Sequence, residues 1–381
     1  MSFIEKLKLL RLKLYIFLFR CRKLENNKII FWANNFKHFG DSPKYIALYL
    51  LKHYPGKFDL VWIFENGKEI PEDLPEGIRV VKYFSLDYLR ELHTAKFVIC
   101  NARTGQGHMW YKRKGQRYIQ TWHSSLRLKK IEGDAPTLPQ SYVEAAKADS
   151  KKIDLLLSGC EFSTNIFKNA FWYSGEIAKF GTPRSDVLIN GSTETKEKVF
   201  EHYGIAQNNK LLLYAPTFRD NKNADIFGMD FEKLSSTLAK GENNWSVGCR
   251  LHPNITDNLS NEFAISMSKY SDMQELVAAA DILITDYSSC MFDMAVANKL
   301  CILYAPDLQS YTSNERGLYF DISELPFPIA KNMDELLKII ENFDNKQYES
   351  DLKAFMNKIG SYEDGNASKM VAEYIIKNTN K

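Results

Sequence analysis

Residues 282–296 read Ile-Leu-Ile-Thr-Asp-Tyr-Ser-Ser-Cys-Met-Phe-Asp-Met-Ala-Val. The apolar run 282–284 predicts a buried strand, and apolar side chains between 291 and 296 return at helical spacing. Backbone amides left free at the helix start attract an anion such as phosphate, but a serine there can also cap the helix with nothing bound. The turn alone leaves both interpretations open. Its candidate anion-binding residues are Thr285, Asp286, Ser288 and Ser289.

Short apolar runs alternate with amphipathic segments from residue 26 onward, which is typical of helices flanking a parallel sheet. One series of predicted strands covers 28–32, 60–64, 79–81, 97–100, 118–121, 155–157 and 177–180. A second series covers 210–214, 246–250, 282–284 and 301–304. A polar stretch near residue 190 separates the two series. The sequence therefore predicts two doubly wound α/β domains, 26–190 and 191–381, preceded by a helical segment, 1–25.

Composition supports this division and limits the function. A chain of 381 residues exceeds one ordinary core. Its net charge of +3, from 50 basic and 47 acidic residues, is too balanced to indicate a nucleic-acid partner. The six cysteines form no CxxC pair, which argues against a zinc site and a disulfide framework. We predict no metal and no cofactor. Because the net charge is small, we expect any positively charged site to be a local cluster of basic side chains.

Segment 1–25 has the pattern of a basic amphipathic helix. Its apolar side chains recur at steps of four and three, at Phe3, Leu7, Leu10, Leu14 and Phe17, with lysines and arginines between them. Such a helix either lies on an anionic membrane surface or packs on the protein body, and the pattern does not separate these alternatives. No apolar run approaches the roughly 20 residues that span a bilayer, and the charges do not form a cleavable signal pattern.

Polar residues that follow the predicted strands are the candidates for chemistry, because ligands of open parallel sheets lie beyond the carboxyl ends of the strands. His123 follows one strand and is suited to general base catalysis, although it could equally cap the next helix. Arg219, Arg250 and His252 follow strands of the second series, and cations there suit phosphoryl transfer. Arg316 and Gly317 come later in the chain. Near the start, Asp41 and Lys44 flank a helix cap at Ser42.

Together these segments resemble the CDP-glycerol glycerophosphotransferase family, whose members prime or polymerise teichoic acids and related capsule polymers. The matching segments run from about Asp41 to Asp321 and are specific jointly, though weak singly. They include Thr-Trp-His at 121–123, Glu-Phe-Ser-Thr at 161–164, Gly-Thr-Pro-Arg-Ser-Asp at 181–186, Tyr-Ala-Pro-Thr-Phe-Arg-Asp at 214–220 and Arg-Leu-His-Pro at 250–253. The chain departs from the family pattern after His123, where Ser124 and Ser125 replace a usual glycine and threonine.

The resemblance implies a glycosyltransferase-B-like fold in which two Rossmann-like domains face a cleft and the C-terminal one holds most of the nucleotide. It implies that His123 and His252 correspond to the family's two important histidines, and Ser288 and Ser289 to its phosphate-binding serines. The Arg316–Gly317 pair also has a family counterpart. We expect Arg219, Arg250, Thr285 and Asp286 on the donor side as well. On the acceptor side we expect Asp41, Lys44, Ser124 and Arg127.

The implied reaction moves a polyol phosphate, with glycerol phosphate expected first, from CDP-glycerol or a similar CDP-polyol to an acceptor hydroxyl and releases CMP. The implied acceptor is a polyprenyl-diphosphate-linked chain or a polymer, met at the cytoplasmic face of the membrane. Two alternatives remain at this point. A glycosyltransferase-B enzyme using a nucleotide sugar would release UDP or GDP, and a membrane-surface scaffold would turn over nothing.

Overall fold

The computed structural model describes residues 3–68, 70–71, 74–105, 109–191, 193–217, 228–251, 261–308 and 317–380, excepting the side chains of residues 3–9. Its strands form two sheets. In the first sheet the strands lie in the order 78–82, 59–64, 25–32, 95–100, 117–120, 155–157 and 176–178, and in the second 265–266, 245–249, 210–214, 282–285, 300–304 and 329–330. All neighbouring strands in both sheets are parallel. The chain order of the strands reverses once in each sheet, between strands 25–32 and 95–100 in the first and between strands 210–214 and 282–285 in the second.

The first half of the chain alternates strands and helices around the first sheet. Its strands are β1 (Glu25–Trp32), β2 (Asp59–Phe64), β3 (Ile78–Lys82), β4 (Ala95–Cys100), β5 (Arg117–Gln120), β6 (Leu155–Leu157) and β7 (Glu176–Ala178). Its helices are α1 (Phe3–Arg20), α2 (Asp41–His53), α3 (Leu86–Thr94), α4 (Gln140–Ser150), α5 (Glu161–Ala170) and α6 (Asp186–Ile189).

The second half repeats the arrangement. Its strands are β8 (Lys210–Tyr214), β9 (Trp245–Cys249), β10 (Ile265–Ser266), β11 (Ile282–Thr285), β12 (Leu300–Tyr304) and β13 (Ile329–Ala330). The helices that follow along the chain are α7 (Thr193–Tyr203), α8 (Phe231–Leu238), α9 (Met273–Ala279), α10 (Cys290–Val296), α11 (Met333–Glu341), α12 (Asn345–Ile359) and α13 (Ala367–Asn378).

Each sheet is covered on both faces, which explains why its strands are nearly continuous apolar runs. In β4, Phe97 and Ile99 join one buried cluster, whereas Val98 and Cys100 join the cluster on the opposite face. Alternate residues of β8 divide in the same way between two clusters. The predicted α/β class with two parallel sheets is confirmed. All eleven predicted strands are present, and their ends differ from the predicted ones by at most three residues.

The last helix returns to the first half of the molecule. Val371, Ala372 and Ile375 of α13 are fully buried in the same cluster as Ile29 and Phe97 of the first sheet. The end of the predicted segment 191–381 therefore completes the core of the first sheet. The predicted boundary near residue 190 stays a prediction.

Helix α1 is apolar on two sides. Ile16 is 4% exposed and packs into the first half together with Leu12 and Phe19. The side chains of Leu10, Leu14, Phe17 and Leu18 are between 50% and 65% exposed. Among the helices described, none combines the length and the apolar content needed to cross a membrane.

Candidate active site

A cavity of about 300 Å³ lies between the two halves, beside the carboxyl ends of strands from both sheets. The first half contributes Asn34, His38, Asp41, His123 and Arg184 to its walls, and the second half contributes Arg250, Gln274, Ser288, Ser289 and Asp293. The structure thus brings the predicted histidine of one half and the predicted serine turn of the other to one place.

A backbone hydrogen bond fixes the tautomer of the His123 imidazole. Its Nδ1 lies 3.0 Å from the backbone carbonyl oxygen of Asn101. Because a carbonyl only accepts, Nδ1 carries the proton and Nε2 has the free lone pair in the neutral ring. The ring stacks on Trp122 and is exposed to the cavity, yet protein encloses it enough that burial lowers the pKa of His123 below its ordinary value. The neutral form needed for a base is therefore favoured at neutral pH.

Backbone strain is concentrated beside this histidine. Asn34, Asp41 and Trp122 have φ angles of 48°, 59° and 52°, in the left-handed region that favours glycine. Each such residue costs on the order of 1–3 kcal/mol and persists only when its surroundings hold it. The side chain of Asn101 accepts from Asn34 N at 2.9 Å and donates to Asn34 Oδ1 at 3.0 Å. Asn101 therefore fixes the strained turn with its side chain and His123 with its carbonyl.

The serine turn divides into two parts. Ser288 and Ser289 line the cavity and are half-buried. Ser289 makes no side-chain cap hydrogen bond, and Ser288 Oγ accepts a long one, at 3.4 Å, from Cys290 N. Thr285 and Asp286 are buried and do not line the cavity. Thr285 donates to Ala215 O at 2.7 Å, and Asp286 accepts from Thr217 N at 2.9 Å. These two residues hold the turn against the end of β8.

Two arginines supply positive charge at the cavity. Within the described residues, Arg250 Nη1 and Arg184 Nε are buried nitrogens without a hydrogen-bond partner. Burial lowers the pKa of Arg250, although the Asp272 carboxylate opposes this. Unpartnered guanidinium N–H groups in a cleft suit the oxygens of a phosphate.

The sequence predicts a glycine-proline turn around Arg184 and gives no prediction for Asp293. In the structure Arg184 Nη2 donates to Asp293 Oδ2 at 2.9 Å, and Nη1 donates to the carbonyl of His123. Burial alone would lower the pKa of Arg184, but the carboxylates of Asp293, Asp41 and Asp272 raise it. The sequence contains one indication of this ion pair. Asp293 interrupts an apolar helix, and a charge buried there needs a partner. Asn34, Asn101 and His38 carried no comparable signal.

The remaining predicted residues lie elsewhere or outside the described residues. Lys44 Nζ pairs with Asp272 at 2.6 Å and Glu275 at 2.7 Å, so it joins α2 to α9. Ser124 and Arg127 are buried, and the guanidinium of Arg127 lies 4.5 Å over the ring of Phe167. Gly317 accepts from Lys130 N at 2.8 Å across the two halves.

Arg219, His252 and Arg316 lie outside the described residues. Within the part described, no three His, Cys, Asp or Glu side chains meet in a group suited to a metal ion.

Comparison with known proteins identifies similar chains. The chain is 32% identical over 371 residues to a teichoic acid poly(glycerol phosphate) polymerase of Staphylococcus epidermidis, covering 92% of this chain and 50% of the relative. It is also 32% identical to the polymerase of that name from Bacillus spizizenii, with 97% of this chain and 98% of the relative covered. The chain thus spans about half the length of one relative and nearly all of the other.

The solved structures that are similar to this chain include those of a teichoic acid polymerase as well. The wall teichoic acid polymerase TagF superposes with a TM-score of 0.85 at 29% identity, over 99% of this chain and 96% of TagF. A histidine-to-asparagine variant of TagF after a soak with CDPG gives the same TM-score at 30% identity, over 96% of this chain and 92% of TagF. The expected glycosyltransferase-B-like fold is therefore confirmed.

The family described as CDP-glycerol:poly(glycerophosphate) glycerophosphotransferase matches residues 14–377, which is nearly the whole chain. The match includes both sheets, the cavity between them and the segments around His123 and Ser288. The chain belongs to the CDP-glycerol:poly(glycerophosphate) glycerophosphotransferase family.

Proposed function

We propose that this chain transfers glycerol phosphate from CDP-glycerol to an acceptor hydroxyl in teichoic acid synthesis and releases CMP. The observation that carries the proposal is the placement of His123 from one half and the Ser288–Ser289 turn from the other in the lining of one cavity. Membership of the glycerophosphotransferase family and the CDPG-soaked TagF structure support the choice of donor.

In the proposed mechanism His123 Nε2 removes the proton of the acceptor hydroxyl. The acceptor oxygen attacks the phosphorus distal to cytidine, a new P–O bond forms, and the bond to the bridging oxygen breaks as CMP leaves. Little covalent chemistry is asked of the protein, so positioning and charge stabilisation dominate. Ser288, Ser289 and Arg250 would hold the donor diphosphate.

Further roles on the donor side stay predictions. They belong to Arg219, His252 and Arg316, which lie outside the described residues. The same holds for the acceptor-side roles of Asp41, Lys44, Ser124 and Arg127, although Asp41 has the support of lining the cavity.

We further propose that the acceptor is lipid-linked and that the enzyme works at the cytoplasmic face of the membrane. The exposed side chains of Leu10, Leu14, Phe17 and Leu18 form one apolar face of α1, and Arg11, Lys13 and Arg20 lie on the same helix. An apolar face beside basic residues is suited to an anionic lipid surface. The other face, around Ile16, packs on the protein body, so both interpretations of the sequence pattern are compatible with one helix.

The test of the proposed function is CMP release from CDP-glycerol with a prenyl-diphosphate-linked acceptor. We expect His123→Ala to lower kcat by about 10²- to 10⁴-fold, the usual contribution of a general base. His53→Ala, at an exposed histidine at the end of α2, is the control and should retain activity. UDP or GDP release from a nucleotide sugar, with no CMP from CDP-glycerol, would instead identify a sugar transferase. Full activity of His123→Ala would exclude the base role.

A further inference from the structure

We propose that Arg184 is a positioning residue that fixes the His123 turn of the first half relative to α10 of the second half. The inference rests on the proposed function, because it concerns the same site. Arg184 is 7% exposed and follows β7 in a short turn, Pro183–Ser185. Its two terminal nitrogens point to different halves of the molecule. Nη1 donates to the carbonyl of His123, and Nη2 donates to Asp293.

The carboxylate of Asp293 is itself held in place. Gln274 Nε2 of α9 donates to the same oxygen, Oδ2, at 2.9 Å. Asp293 belongs to the first turn of α10, the helix that begins directly after Ser289. One guanidinium therefore connects the residue that bears the proposed base with the helix that starts at the proposed phosphate turn. A planar fork suits two fixed directions, which the single ammonium of lysine cannot reproduce.

Arg184 also contributes to the charge balance around His123. Among the described residues, the groups that shift the pKa of His123 are the carbonyl of Asn101, the carboxylate of Asp41 and the guanidinium groups of Arg127 and Arg184. Burial lowers the pKa of His123 most, and the two arginines lower it further, whereas the Asn101 carbonyl and Asp41 raise it. Loss of the Arg184 charge should therefore raise the pKa of His123 and leave less neutral base at neutral pH.

These two effects can be separated by substitution. Arg184→Gln removes the fork and the charge, Arg184→Lys keeps the charge without the fork, and Asp293→Asn breaks the link while leaving Arg184 charged. The matched control is Arg103→Gln. Arg103, whose side chain is 10% exposed, also has two carboxylate partners, Glu132 at 3.0 Å and Asp149 at 3.5 Å, but it does not line the cavity.

The measurements are the thermal midpoint, the kcat and KM for CDP-glycerol, and the titration of His123 by histidine-selective NMR without substrates. We expect kcat to fall by up to about 100-fold in Arg184→Gln and Asp293→Asn, the size of effect that a displacement of about 1 Å produces. Arg184→Lys should recover part of the loss. The pKa of His123 should rise in Arg184→Gln and stay close to wild type in Arg184→Lys.

The control should lose thermal stability but keep its kcat at a temperature where it is folded. Wild-type kcat in Asp293→Asn together with unchanged His123 titration in Arg184→Gln would overturn the proposal, as would an equal loss of kcat in folded Arg103→Gln. If Arg184→Gln does not fold, Arg184→Lys and Asp293→Asn decide by the same kcat measurement. Failure of the proposed function would be recognised by a different result, the absence of CMP release by the wild type. In that case the NMR titration still tests the contact between Arg184 and His123.

Discussion

At the scale of single residues, neighbours in one turn have separate tasks. Thr285 and Asp286 face the protein and hold the end of β11 to β8. Ser288 and Ser289 face the cavity, and Ser289 makes no cap bond. The hydroxyl of Ser289 is therefore free for a ligand in a way that the side chains of Thr285 and Asp286 are not.

Substitution of Ser289 by alanine tests this division. Because its hydroxyl supports no cap, we expect the thermal midpoint to stay near that of the wild type. If the hydroxyl donates to the donor diphosphate, the KM for CDP-glycerol should rise by roughly tenfold or more, since a hydrogen bond to a charged group is worth about 1.5–3 kcal/mol. An unchanged KM in steady-state kinetics would contradict the assignment.

The matched change three residues earlier should have the opposite signature. Asp286 accepts from Thr217 N and Oγ1 and from Tyr287 N. In Asp286→Asn an amide NH₂ group replaces one of the accepting oxygens. This donor group would then face the donors of Thr217 and Tyr287 instead of accepting from them. We expect a loss of about 1–3 kcal/mol in the free energy of unfolding, measured by denaturant titration. A change in KM without a change in stability would show that Asp286 contacts the donor instead.

The candidate site could be predicted in part from the sequence. His123, Arg250 and the serines follow strands directly, and strand ends of parallel sheets meet at one edge. The Arg184–Asp293 pair could not be predicted in the same way, because its members are 109 residues apart and belong to different halves. Nothing local distinguishes an arginine in a glycine-proline turn from an ordinary surface residue.

At the scale of elements, α1 shows why amphipathic spacing is insufficient to orient a helix. The stripe that the spacing identifies includes Leu10, Leu14 and Phe17, and these side chains are exposed. The body is contacted through Ile16, Leu12 and Phe19 instead. A helix with two apolar sides gives no pattern that tells which side meets the protein. The two unpredicted strands, β10 and β13, contain two residues each, too few to show any periodicity.

The exposed face of α1 leads to a prediction for membrane binding. Leu14→Asp combined with Phe17→Asp should lower flotation with anionic liposomes by at least about tenfold, since each fully buried apolar side chain contributes about 1.5–3 kcal/mol. The fold should persist because neither side chain packs on the body. The control is Met370→Asp, at an exposed apolar residue on α13. Equal flotation of the double variant and the wild type would exclude α1 as the membrane contact.

At the scale of the whole molecule, the two halves are also joined by a segment that does not line the cavity. The segment between α12 and α13 crosses from the second half to the first and is fixed there. Tyr362 N donates to Gly159 O at 2.8 Å, and Asp186 accepts from the first amides of α13. Within this segment Glu363 accepts from Thr182 N at 3.0 Å and from the hydroxyl groups of Thr182 and Ser125. A side chain at Gly159 would collide with Ser125 and Glu363.

This buried carboxyl should make stability depend on pH near neutrality. Burial raises the pKa of Glu363 from 4.5 to about 7, although its hydrogen bonds oppose the rise. Between these values the unfolded chain loses a proton that the folded chain keeps, so the free energy of unfolding falls as pH rises through this window. The contribution is on the order of 3 kcal/mol over the window. Below it both states are protonated, and above it both are ionised.

The Glu363→Gln variant removes this ionisation and keeps the shape of the side chain. We expect its free energy of unfolding, relative to wild type, to increase steadily between pH 4.5 and 7 and then to level off. Glu262→Gln, at an exposed position, controls for the loss of one negative charge. Parallel pH profiles of wild type and Glu363→Gln would show that the carboxyl ionises alike in both states. A rising difference would instead place a neutral-pH titration in the segment that joins the halves, next to the turn that bears His123.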